Sequence, residues 1–391
     1  MTPPRIAPLP RHGNPPRAQG LLDTARGGRG GDLHLFRTMA HHPGLLDYYL
    51  PFGGQFAEGV LPAREREMLI LRTSWVCGCA YEWGHHERAG QRAGLTTEDV
   101  AAVPDADAER WSEDDRALLL AADALVTRRD LDDDLWRRFA RPFDAAQLVE
   151  ATMLVGSYAM LAAMINAVGI EPERGLAQLP HVVRPAPVSE PEARPRRIRV
   201  GLPRVPPVDA DDLPDDLRPQ VTGARESSGG ENIFLTMAHS PDLLRRYLPF
   251  GGKLLLAGRL PPRQRELAIL RSAWVAGCVY EWQHHVPLGL EAGVHAAEME
   301  RLRGGLVSWE GRDALVLAAT DQLTVEHTIR DATWQGLAET FDDAQMLELA
   351  MLVGHYAMLA GMLTTLGVAL EPGFGVDNGA LDGDRRSARP A

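Results

Sequence analysis

Cysteine is nearly absent: Cys77, Cys79 and Cys278 are the only three among 391 residues. So sparse and odd a set builds no disulfide framework, and the expected compartment is reducing, the cytoplasm. Cys77 and Cys79 could close only a strained disulfide with each other. Basic charge is also short. Acidic residues outnumber basic ones 53 to 41, giving a net charge of −12. That balance argues against nucleic acid or an anionic membrane as partner, since both reward a basic face. No segment is apolar and long enough to read as a bilayer span. Met153 to Ile170 comes closest, but Ser157 and Asn166 interrupt it, and it reads as a core helix. The first 17 residues hold no apolar run, so no secretory signal is expected there. Runs of alternating β-branched residues are missing too, and no strand is expected.

What is present is a normal globular composition, 45% hydrophobic and 24% charged, written twice. "RTMAHHPGLLDYYLPFGG" from Arg37 returns as "LTMAHSPDLLRRYLPFGG" from Leu235. "FDAAQLVEATMLVGSYAML" from Phe143 returns as "FDDAQMLELAMLVGHYAML" from Phe341. The offset is about 198 residues throughout, too long for a solenoid repeat, so each half reads as a domain. The boundaries are 1–180 and 201–375, with a Pro- and Arg-rich linker at 181–200 and a disordered tail at 376–391. "ARESSGGEN" (224–232) reads as a second loose segment.

Each half reads as all-α, with six to eight helices. Ser112 is a cap for the leucine- and alanine-rich helix that follows it. Asp144 with Gln147 opens a long apolar helix that Gly169 stops, and Asp342, Gln345 and Gly367 repeat that start and stop.

The densest repeated chemistry is "CGCAYEWGHH" (Cys77 to His86), rewritten as "AGCVYEWQHH" (Ala276 to His285). Gly78 weakens one helix, and a second is expected from near Cys79 to near Gly94. At about 100° per residue, Cys79, Glu82, Trp83 and His86 share one face, while Tyr81 and His85 point to the other. Small residues follow on that face, Gly90 and Ala93, leaving room for a ligand or for a neighbouring helix. Glu82 and His86 stand at i and i+4, close enough to share a proton. Burial would raise the carboxyl pKa and the carboxylate would raise that of the imidazole, a pair suited to moving protons near neutral pH. A helix opening at Cys79 would favour its thiolate. Glu67, repeated as Glu266, supplies a second carboxylate if the two helices fold together. No further His or Cys cluster completes a ligand set, so no metal is expected.

These motifs resemble the carboxymuconolactone decarboxylase and alkyl hydroperoxidase D-like family, over nearly the whole of both halves. The resemblance implies two tandem domains of that helical fold. Its hydroperoxidases use a Glu, a Cys-x-x-Cys and a His, which fall here on Glu67, Cys79, Glu82 and His86, and on Glu266, Cys278, Glu281 and His285. Glu stands where the second cysteine would be, which removes the dithiol cycle. Family decarboxylases carry Glu and His four residues apart, as Glu82–His86 and Glu281–His285 are. The resemblance therefore implies cofactor-free acid/base chemistry of the decarboxylase, lyase or isomerase type. Its substrate would be a small organic acid, lactone or enolisable carbonyl. An anionic intermediate would be steadied by Trp83, Trp282, Arg72, Arg271 or the cysteines. The family also implies a homo-oligomer: a trimer forming a pseudo-hexamer, or a dimer. Two alternatives stay open: a thiol-dependent peroxidase using Cys79 and Cys278, with Cys77 as resolving thiol, and a non-catalytic binding scaffold. The copies also differ, Ser157 facing His355 and Cys77 facing Ala276, so the halves need not share the work equally.

Overall fold

The computed structural model describes residues 3–25, 27, 30–180 and 203–374, and of residues 227 and 228 only the backbone. The expected linker (181–200) and tail (376–391) lie outside the described residues. The first half folds as α1 (Pro16–Thr24), α2 (His34–Met39), α3 (Pro43–Glu58), α4 (Ala63–Cys77), α5 (Ala80–Arg92), α6 (Thr97–Ala102), α7 (Glu113–Arg128), α8 (Asp133–Ala140) and α9 (Ala145–Val168). The second half repeats them as α10 (Arg218–Ser228), α11 (Asn232–Met237), α12 (Pro241–Leu256), α13 (Pro262–Ala276), α14 (Val279–Glu291), α15 (Ala296–Leu302), α16 (Gly311–Glu326), α17 (Asp331–Ala338) and α18 (Asp343–Leu366). No strand occurs among the described residues, so the fold is all-α, as expected. Among the described residues each half has nine helices rather than six to eight, because six- to eight-residue helices such as α2, α6 and α8 are too short to show a period. The segment at 224–232 is not loose at its start: α10 runs through Ser228 and stops at Gly229, φ 75°.

Capping chemistry sets the ends. Ser112 accepts from the Asp115 N–H, and Asp144 and Asp342 form reciprocal boxes with Gln147 and Gln345. Gly169 and Gly367 close α9 and α18 in the left-handed region, at φ 79° and 73°. Both helices are long and apolar enough to cross a bilayer, yet 83% and 94% of their most apolar windows are buried inside the fold.

They are buried because they cross each other. A Cβ on Gly156 would lie 2.5 Å from Met358 Cγ, and one on Gly354 would lie 2.7 Å from Met160 Cα. These four residues are two equivalent pairs, so the contact is reciprocal, like that of a two-fold dimer. α3 packs on its own counterpart α12 in the same way. Phe52 stacks on Phe250 with centroids 4.9 Å apart, and Tyr49–Phe250 and Phe52–Tyr247 form matching edge contacts at 5.9 and 6.0 Å. Two arginine straps repeat the symmetry: Arg5 donates to the Ile329 carbonyl at 2.7 Å and lies over Trp334, while Arg204 donates to the Leu131 carbonyl at 3.0 Å and lies over Trp136. The two halves therefore share one apolar core about a pseudo-two-fold axis.

Candidate active site

One backbone feature builds each site. α4 ends at Gly78, whose φ of 67° admits glycine at little cost. Gly78 and Cys79 then donate back to Trp75 and Ser74 carbonyls, at 3.1 and 2.8 Å. Cys79 is extended and caps α5, which folds back along α4. Gly277 (φ 69°) and Cys278 do the same for α13 and α14. Gly90 keeps the helices close, since a Cβ there would lie 3.2 Å from Leu71 Cδ1 and 3.0 Å from Leu95 Cδ1. Its smallness serves helix approach rather than ligand space.

The fold-back sets Glu67 of α4 against His86 of α5. His86 Nδ1 lies 2.7 Å from Glu67 Oε2, and His285 Nδ1 lies 2.9 Å from Glu266 Oε2. Burial opposes ionisation of Glu67 and Glu266, but the histidine hydrogen bonds and charges and the adjacent Arg66 and Arg265 outweigh it. Both carboxyls are held below their usual range. An ionised carboxylate on Nδ1 takes the N–H there and leaves Nε2 as the basic nitrogen. Tyr158 and Tyr356 fix the imidazoles from the side, edge-on at 5.0 and 4.9 Å.

Glu82 behaves oppositely. It is 3% exposed, and burial pushes its carboxyl well above the usual range. Ser74 Oγ donates to Oε2 at 3.4 Å, and Oε1 has no partner among the described residues. Glu281 is raised in the same way, with Ala273 in place of the serine. Each site thus pairs a carboxyl that its histidine holds down with one that burial pushes up.

Each set borders a cavity. The first, about 700 Å³, is lined by Glu67, Glu82 and His86 together with Arg66, Tyr81 and His85. The second, about 380 Å³, is lined by Glu281 and His285 together with Tyr280, His284, His355 and Tyr356.

Several expectations are corrected. Glu82 and His86 do not form the proton-sharing pair; the imidazole partner is Glu67, brought in by the turn at Gly78 rather than by helical spacing. Tyr81 and His85 do not point away from the site, because the cavity lies on the face of positions 81, 82, 85 and 86. Trp83 and Trp282 face the other way, into the apolar clusters beside Leu71 and Leu270. They line neither cavity. Arg72 and Arg271 are not free for substrate: Arg72 grips Asp123 with two 2.6 Å bonds and the Val103 carbonyl at 2.7 Å, and Arg271 repeats this with Asp321 at 2.6 and 2.8 Å. Cys79 and Cys278 do cap helices, but burial and the neighbouring glutamate push both thiols well above their usual range, so helix amides do not yield thiolates. The described residues hold no group of three or more metal-type ligands.

Sequence reasoning missed Glu173 and Glu371, which follow α9 and α18. Burial opposes their ionisation. Even so, His85 and the His34 N–H hold Glu173 near pKa 2, where Tyr81 also donates to it at 3.0 Å, and His284, Tyr280 and two backbone N–H groups do the same for Glu371. The available signal was a glutamate four residues after the stop glycine in both copies.

A fold of two interlocked helical copies, each with a Glu–His pair beside a cavity, defines the class. The carboxymuconolactone decarboxylase family model matches residues 43–123 and 241–322, one stretch in each half. Each half of the chain therefore carries a region similar to that family, the two in tandem. A solved structure from Ralstonia eutropha JMP134, described as an alkylhydroperoxidase AhpD core and an uncharacterized peroxidase-related protein, is 22% identical; the match covers 44% of this chain and 95% of that one, with a TM-score of 0.41. No curated protein matches the chain.

Proposed function

We propose that the protein is a cofactor-independent proton-transfer enzyme of the decarboxylase, lyase or isomerase type. Its substrate would be a small organic acid, lactone or enolisable carbonyl. One observation carries the reading: two carboxyls beside one cavity are driven in opposite directions. Glu67 is held ionised against His86, and Glu82 is held neutral. Such a split assigns base and acid without any added group. His86, oriented by Glu67, takes the proton on carbon through Nε2. Glu82 donates to the oxygen or carbon where negative charge develops, and His285 and Glu281 repeat these roles.

The thiol-dependent alternative draws less support. Cys79 is fully buried, and its thiol is held protonated beside Glu82. The thiolate is the nucleophile that such chemistry needs.

The test is deuterium uptake at carbon, followed by NMR in heavy water over a panel of keto acids, lactones and β-dicarbonyls. Uptake by the wild type that collapses in an E82Q/E281Q double variant is the expected result. No uptake from any member, or uptake indifferent to both substitutions, would return the protein to a binding scaffold.

A further inference from the structure

The second cavity contains one group with no counterpart in the first. His355 of α18 stands where the first half has Ser157. It is 2% exposed, lines the cavity, and neither ring nitrogen has a hydrogen-bond partner among the described residues. Aromatic rings hold it: Tyr247 lies parallel at 5.6 Å, with Phe250 and Tyr356 edge-on at 5.6 and 5.0 Å. Gly251 keeps its Nε2 approachable, since a Cβ there would come within 3.4 Å of it. Burial, helped by the charge of His285, pushes its pKa down to about 3, so the ring is neutral at ordinary pH. A neutral imidazole offers one donor and one acceptor, and leaving them unpaired in a buried site is costly.

The walls point the same way. Among the described residues no Lys or Arg lines the second cavity, whereas Arg66 lines the first. Leu248, Leu255, Leu359 and Leu363 make much of the second wall. An organic anion would find no lysine or arginine there and would lose its hydration against an apolar wall.

We propose that the second cavity takes a neutral, largely apolar molecule bearing a hydroxyl, and that His355 determines this specificity by hydrogen-bonding that hydroxyl. The proposal rests on reading this cavity as a substrate site, and it makes the two halves selective for different ligands. Either a donated or an accepted bond satisfies a hydroxyl, so both tautomers of His355 serve. A carboxylate accepts only, and no lysine or arginine lines the cavity to balance its charge.

The test is ligand-observed NMR titration of the full-length protein with p-cresol, and with toluene and benzoate as matched probes lacking the neutral hydroxyl. H355S installs the residue of the first half and should weaken p-cresol about tenfold, while toluene changes less than about threefold. H355Q keeps a donor and an acceptor and should hold p-cresol within about threefold. A shift of the His355 ring nitrogen resonances in the wild type on adding p-cresol would support the proposal without any substitution. Unchanged p-cresol affinity in H355S would overturn it, as would an equal loss for toluene, or benzoate binding that H355S weakens as much. The readout is binding alone, so missing deuterium uptake would remove the catalytic reading and leave this one standing.

Discussion

The two halves differ least around the glutamate–histidine set and most along the cavity walls. Both keep the glutamate–histidine bond, the neutral glutamate, the buried cysteine cap and the edge-on tyrosine. Around that set, Ser74 becomes Ala273, Ser157 becomes His355, and Asp47 and Arg66 line only the first cavity. The reacting groups sit on helices fixed by the αL turn and the shared core, where a change would disturb the fold. The walls carry no such demand. Duplication here has kept the glutamate–histidine set and varied the walls around it.

Breaking one histidine at a time tests this division most strongly. H86Q and H285Q should each remove about 10²- to 10⁴-fold of the proton transfer at their own cavity, read as initial rates with a substrate for each. If one variant abolished all activity and the other none, only one half would be catalytic. Crowding the crossing of α9 and α18 comes next. G156L and G354L should each cost roughly 1–3 kcal/mol or more, because the nearest atoms include the backbone of Met358 and Met160. Urea melts should show similar losses in one shared transition; two separated transitions would break the picture of a common core.

The pH response sharpens the comparison further. Glu82 and Glu281 keep their protons in the folded protein above the usual 4.5, where the unfolded chain has lost them. Stability from this source is complete below pH 4.5 and falls as pH rises, by at most about 1.4 kcal/mol per pH unit for each group. E281Q should flatten the fall between pH 5 and 8 in thermal melts, and E82Q should flatten it less, since Ser74 already eases that carboxyl. The smallest effect lies across the axis. His42 bonds buried Glu348 at 2.8 Å, whereas its counterpart Ser240 leaves Glu150 to the Val60 and Leu61 N–H groups alone. H42S should cost about 1 kcal/mol in the same melts, and S240H should leave the protein within error or slightly better.

Much of the helical plan was legible in the chain. Ser112, and Asp144, Gln147 and Gly169 with their repeats Asp342, Gln345 and Gly367, announce helix ends through local chemistry, and the structure uses each. The repeat also exposed Glu67, Glu82 and His86 as residues kept together. Partnership was not legible. Helical spacing favoured Glu82 for His86, but the turn at Gly78 made a tertiary contact with Glu67 decisive. Arg72 gave no local sign of Asp123, 51 residues away, and Trp83 gave none of the cluster that absorbs it. The interlocking of the halves was hidden for the same reason. Gly156 and Gly354 are visible as repeated glycines, but only the crossing shows that each makes room for the other half's methionine.

The opposed ionisation of two carboxyls in one site is directly measurable by infrared difference spectroscopy at neutral pH. Wild type minus E82Q should show the carbonyl stretch of a neutral carboxylic acid, and wild type minus E67Q the stretches of a carboxylate. A carboxylate signature lost in E82Q would show both groups ionised together and contradict the assignment of acid and base.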